Sequence, residues 1–129
     1  PTQPDFHPVH HPSYIDFFEQ VLADTTDPKV MSEKWEKQYA EDEWYKHLYR
    51  TTYAYHGVHP FYMWYWGSHA LQHCSRIIIV GGDPKTVRRL GFVPASTMDD
   101  ALEIASDVVG RAPTITHLHA PPLMVADVS

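Results

Sequence analysis

The sequence has one cysteine, Cys74, in 129 residues. A lone thiol excludes an internal disulfide and suits a reducing compartment, so the cytoplasm is the expected location. Basic residues are also few: ten Lys and Arg stand against sixteen Asp and Glu, a net charge of −6. With no basic stripe or Lys/Arg-rich helix, nucleic acid is not an expected partner. The acidity is uneven, with ten acids against five bases in residues 1–57 and six against five in 58–129. Long apolar runs are missing too. The most apolar window, 61–80, is interrupted by His69, Gln72, His73 and Arg76, so neither a membrane span nor a membrane partner is expected. No leader pattern is read at the start. What remains is ordinary for one folded domain, 43% hydrophobic and 20% charged, apart from a high aromatic content of 13%.

The most organised stretch is 76–118. Ile77-Ile78-Ile79-Val80 is a short β-branched run without alternation, the pattern of a strand buried on both faces. Gly81-Gly82 breaks it, and Asp83-Pro84 offers an N-cap followed by a proline at the first helical position. A short helix to Leu90 with Gly91 as its stop leads to a second strand at Phe92-Val93. Ser96 with Asp99 reads as a capping box for a longer helix, on which Met98, Ala101, Leu102, Ala105 and Val108/Val109 share a face before Gly110. Thr114 to Leu118 is a third strand candidate. The expected fold is α/β: a small, mostly parallel sheet from a βαβαβ unit, covered on both faces by N-terminal helices.

Upstream, residues 1–12 hold four prolines and three histidines and read as an arm; the domain proper is expected over 13–129. Ser13 and Asp16 suggest the cap of a first helix with Tyr14, Phe17, Phe18, Val21 and Leu22 on its apolar face. Asp27-Pro28 starts a second, with Met31, Trp35 and Tyr39 on one stripe. Whether it breaks at 40–42 is left open by the sequence. Trp44, Tyr45, Leu48, Tyr49 and Tyr53 continue at helical spacing to Gly57, and His59-Pro60 opens a last helix that enters the central strand.

Several features can carry chemistry, each with a plainer competitor. Gly81-Gly82 lies where phosphates bind, yet there is no third glycine at dinucleotide spacing and no Gly-Lys-Ser/Thr; a tight turn is the simpler account. His69 and His73, four apart on a helix, can face one metal, but no glutamate follows the first. His117 and His119 would share a strand face, and His7, His10 and His11 sit in the proline-rich arm. No set of these closes a metal site, and no Ser-His-Asp or Cys-His arrangement is seen, so no catalytic, cofactor-binding or metal residue is assigned within this chain. The block Phe61-Tyr62-Met63-Trp64-Tyr65-Trp66 is bulky all the way round a helix. Either it is sandwiched, or one side meets a partner. Histidines on a loop and aromatics beside it make His7, His10, His11, Tyr62, Trp64 and Trp66 the cleft-facing candidates.

The order apolar strand, Asp-Pro-x-x-Val, Leu-Gly-Phe, Ser-x-x-x-Asp-Ala-Leu, Gly, Ile-x-x-Leu resembles the C-terminal domain of the lactate racemase family. His-Pro-x-Tyr-x-x-Phe-Phe at 11–18, Asp27-Pro28 and the Trp-containing helix entering the strand are similar as well, so the resemblance covers about 11–119. It implies the C-terminal half of a longer, two-domain racemase or epimerase of 2-hydroxy acids that uses a nickel-pincer nucleotide. In that family the nickel histidine, the tethering lysine and the catalytic histidines lie in the N-terminal domain, and a Tyr-Gln-x-x-Lys segment precedes the stretch matched here. The implied partners are that domain and a 2-hydroxy acid at the cleft between the two; this chain alone, a lid and substrate wall, would hold no cofactor and be inactive. Trp64 corresponds, within a residue, to a tryptophan that lines the family's site. The alternative is a stand-alone interaction or small-ligand-binding domain using 61–66, for which a homodimer is one form.

Overall fold

A computed structural model describes residues 12–118. His7, His10, His11 and His119 lie outside the described residues, as do the arm and its expected place at a cleft edge. Helix α1 (12–24) opens at Pro12 and buries Phe17, Phe18, Val21 and Leu22, the face its spacing predicts. Its middle, Phe17–Val21, is a π segment in which Leu22 N–H reaches back to Phe17 O. Such a turn leaves carbonyls poorly satisfied. Arg89 answers this from a distant helix, donating from Nη1 to Phe18 O and Glu19 O, each at 3.1 Å, with its guanidinium over the Phe18 ring. Ser13 is not the cap: it lies inside the helix, with its buried Oγ unpartnered.

Helix α2 (28–41) starts as expected at Asp27-Pro28, Asp27 accepting from Lys29 N–H at 2.8 Å. Met31 and Tyr39 are buried and Trp35 packs partly behind them. Asp42 ends this helix with extended backbone and caps α3 (Glu43–Thr51) by accepting from Tyr45 N–H at 2.9 Å. Helix α3 stops well before Gly57, and Tyr53 falls outside it and is exposed. Helix α4 (His59–His73) begins at His59-Pro60.

Strand β1 (Ile78–Val80), helix α5 (Pro84–Arg89), strand β2 (Val93–Ala95) and helix α6 (Met98–Val109) follow. The strands are parallel, with Ile78 opposite Val93 and Val80 opposite Ala95. Asp83 caps α5 through Thr86 N–H at 2.8 Å, and the glycines Gly91 and Gly110 sit at positive φ after α5 and α6. The box on α6 is one residue later than Ser96/Asp99: Thr97 and Asp100 exchange bonds of 3.0 and 3.1 Å.

The fold is helix-rich α/β, but the described residues hold two strands, not three. Residues 114–118 form no strand and are exposed throughout. Two further expectations change with this. Ile78 and Ile79 are only half-buried and Val80 is exposed, and Met98, Leu102 and Val109 on α6 face outward while Ala101 is buried. Val93 N–H bonds Ile77 O at 2.9 Å, so Pro94, one residue on, turns its missing N–H away from β1 and leaves that side of the sheet an edge. The sheet is flanked by its own α5 and α6. The N-terminal helices gather instead on α4, around Phe17, Phe18, Val21, Leu22, Met31, Tyr39, Tyr45, Val58, Phe61 and Trp64. No helix among the described residues is long and apolar enough to cross a membrane.

Two residues offer tests of this packing. A Cβ on Gly57 would lie 2.4 Å from Tyr39 O and 3.0 Å from the Tyr45 ring, so Gly57→Ala must push backbone aside. It should cost about 1–3 kcal/mol in urea unfolding. Asp24 ties α1 to α2, accepting from Lys34 Nζ at 2.8 Å and Trp35 Nε1 at 2.9 Å. The Lys34 bond, then that from Trp35, holds its carboxyl below the ordinary 3.8. A depressed folded pKa contributes stability that is present above the unfolded value and lost as pH falls through the folded one. Wild type should therefore lose its advantage over Asp24→Asn as the pH of the unfolding titration drops below about 4.

Candidate functional site

Helix α4 separates its aromatic block by angle. Pro60, Phe61, Trp64 and Ser68 recur at helical spacing and are buried, while Tyr62, Met63 and Trp66 point outward. Phe61 is 0% exposed; its ring meets Phe17 edge-on at 4.8 Å and Tyr39 at 5.0 Å. Trp64 is 8% exposed and donates from Nε1 to Thr26 O at 3.0 Å, with Phe92 tilted against it. Trp66, two residues along, is 77% exposed. Neither simple alternative for the block holds alone, since half of it is core and half faces out.

The outward side is pinned by α2. Glu36 accepts from Tyr65 Oη at 2.8 Å and from Tyr62 Oη at 3.4 Å. Burial, followed by the Glu36 bond, raises the Tyr65 phenol far above its ordinary value, so it stays a neutral donor. At the start of α4 a second cluster forms. Tyr14 Oη and His59 Nδ1 share a 2.6 Å hydrogen bond, and Tyr55 stacks on the His59 ring at 4.4 Å. Burial, then the neighbouring Tyr55, raises the Tyr14 phenol as well.

Between α1 and α4 lies a groove of about 200 Å³. Tyr14, Phe17, Phe18 and Leu22 come from α1, Pro60, Met63 and Trp64 from α4, and Leu90 closes it from the end of α5. No charged side chain lines it. The arrangement can hold an apolar group and exclude water from it. It brings Trp64 to the groove from within, and Tyr62 and Trp66 to the surface beside Met63. The sequence pointed to Tyr62, Trp64 and Trp66 but missed Tyr14, His59 and Leu90. The apolar spacing of α1 marked Tyr14 as core-facing; that two such faces leave a gap is a property of their packing.

Among the described residues no three His, Cys, Asp or Glu side chains converge as metal donors. His69 and His73 do meet, ring to ring at 4.6 Å, on an exposed part of α4 with no third partner of that kind. Cys74 is exposed at the end of the same helix. No family model, curated protein or solved structure matches the chain.

The two tryptophans should respond in opposite ways. Trp64→Ala should cost about 3–5 kcal/mol in urea unfolding. Trp66→Ala should stay within about 0.5 kcal/mol of wild type.

Proposed function

We propose that the chain is the lid and substrate wall of a racemase or epimerase acting on 2-hydroxy acids, working against a separate domain that carries the cofactor. The observation that supports it is the outward side of α4, where Tyr62, Met63 and Trp66 stand exposed, Met63 also lining an apolar groove. A large aromatic surface beside a cavity suits a domain junction. In this reading the nucleotide of the enzyme class belongs to the separate domain. This chain's contribution is then physical. Inverting C2 of a hydroxy acid requires the substrate to be held while its C2 hydrogen leaves from one face and returns to the other, with water kept out. A rigid apolar wall does both, and closing it over the site sets the size of substrate admitted.

A stand-alone interaction domain is the second reading, and the same exposed Trp66 supports it. The coding sequence upstream of the Pro1 codon separates the two. The racemase reading expects a Tyr-Gln-x-x-Lys segment preceded by a domain with a lysine and spaced histidines; a start codon within a few residues of Pro1 would overturn it. The product of the longer frame, loaded with its cofactor, should scramble an enantiopure 2-hydroxy acid, and chain 1–129 alone should not. In that product Trp66→Ala should lower kcat/KM by about tenfold or more with stability unchanged. No scrambling across a panel of 2-hydroxy acids sinks the proposal.

A further inference from the structure

We infer that the crevice at the carboxyl ends of β1 and β2 binds a phosphate group, held by Arg88 and Ser96 over the Gly81-Gly82 turn. The site does not depend on the function proposed above. In open parallel sheets, ligands bind in the crevice outside the carboxyl ends of the strands. Here Gly81 N–H bonds Ala95 O at 3.0 Å, so the turn after β1 and the residue after β2, Ser96, stand side by side. They line a cavity of about 310 Å³, together with Arg88 from α5. Pockets for small ligands start at roughly 300 Å³. Gly81 sits at φ +72° and, its chain neighbours apart, has no atom within 4 Å of where a Cβ would stand, so a ligand can approach its backbone. The glycine turn alone selects no anion. The cation and the hydroxyl beside it do.

Charge singles this crevice out on an acidic protein. Three of the six residues of α5 are cationic, Lys85, Arg88 and Arg89, and none is acidic. Arg89 is committed to α1 through its two 3.1 Å bonds. Arg88 is not. Its bond to Pro84 O, within its own helix, is long at 3.4 Å, and among the described residues neither it nor Lys85 pairs with a carboxylate. Lys85 lies three residues before Arg88 on the same side of α5, and both line a second hollow beside Leu22 and Ala23. No Asp or Glu among the described residues lines either one. Asp83, the nearest carboxylate in sequence, turns its Oδ2 into α5, accepting from Thr86 N–H at 2.8 Å and from Thr86 Oγ1 at 2.7 Å. A guanidinium with its donors unspent takes two phosphate oxygens at once, and the Ser96 hydroxyl donates to a third. A planar carboxylate fills only the arginine fork. A tetrahedral dianion engages both groups and answers the charge of Lys85 as well.

The test uses chain 1–129 in a buffer free of phosphate and follows the amides of Gly81, Gly82 and Ser96 and the Arg88 Nε–H by NMR. Sodium phosphate, glycerol 2-phosphate, sodium acetate and sodium chloride are titrated in turn at matched ionic strength. Saturable shifts of these signals with both phosphates, weaker binding of acetate and none of chloride are expected, with affinity falling as salt is raised. Tighter binding of the glycerol ester than of the inorganic ion marks a phosphorylated small molecule as the ligand; equal or weaker binding marks free phosphate. Arg88→Gln should weaken both phosphates about tenfold or more, the size of a lost charge-assisted bond. Arg88→Lys should retain only part of the affinity, since an ammonium offers no fork. Arg88 is exposed, so both variants should keep the remaining amide spectrum. Ser96→Ala should cost several-fold. A drift that chloride reproduces, acetate binding as tightly as phosphate, shifts centred elsewhere, or affinity unchanged in Arg88→Gln would overturn the inference.

Discussion

The edge-on contact of Phe61 with Phe17 and Tyr39 is the constraint on which the rest of the molecule depends. It joins α4, α1 and α2 at one fully buried ring. Because helical side chains recur every three to four residues, fixing Phe61 inward also fixes Trp64 and Ser68 inward. It thereby turns Tyr62, Met63 and Trp66 outward. The groove and the exposed aromatic face thus share a cause. Neither can shift without rotating α4 about an axis its core contacts forbid.

The acidity of the N-terminal half finds its explanation in the same helices. Asp27 and Asp42 cap α2 and α3. Asp16 accepts from Tyr45 Oη, and Glu36 accepts from two tyrosines on α4. Asp24 receives Lys34 and Trp35. The excess of negative charge is therefore spent locally, on helix starts and on the hydroxyl and indole groups that so aromatic a core brings with it. Burial, followed by the Asp16 bond, raises the Tyr45 phenol so far that it remains a neutral donor. That keeps the phenol donating to Asp16 as the pH rises.

Much of this was legible in the sequence, and the failures have physical reasons. Helix starts at Asp27-Pro28 and Asp83-Pro84 read correctly because a cap and a proline act within four residues, and the start at His59-Pro60 rests on the proline alone. The apolar face of α1 and the parallel pairing of β1 with β2 were equally local. Thr114 to Leu118 has strand composition, yet strands exist only in pairs, and composition cannot say whether a partner edge is reached. Leu102 and Val109 have the spacing of a core face, yet they line an open cavity with residues 113–116 instead of packing under a strand. The π segment in α1 was invisible, since the residue that reaches its carbonyls, Arg89, lies some seventy positions away.

For the site, the sequence marked the aromatic block but could not apportion it. Six bulky residues in a row carry no periodicity, so the choice between sandwich and interface was open until the neighbours of α4 were placed. Those neighbours divide the block. Helices α1 and α2 reach one side of α4 with rings large enough to enclose Phe61 and Trp64, and the Glu36 carboxylate reaches round towards the other to Tyr62 and Tyr65. Trp66 is thereby left in water, 77% exposed. The apolar groove lies beside it and has no charge of its own. Met63 belongs to both, lining the groove while standing half-exposed about one turn before Trp66, so the inward rings of α4 shape the cavity and the outward ones leave the face open.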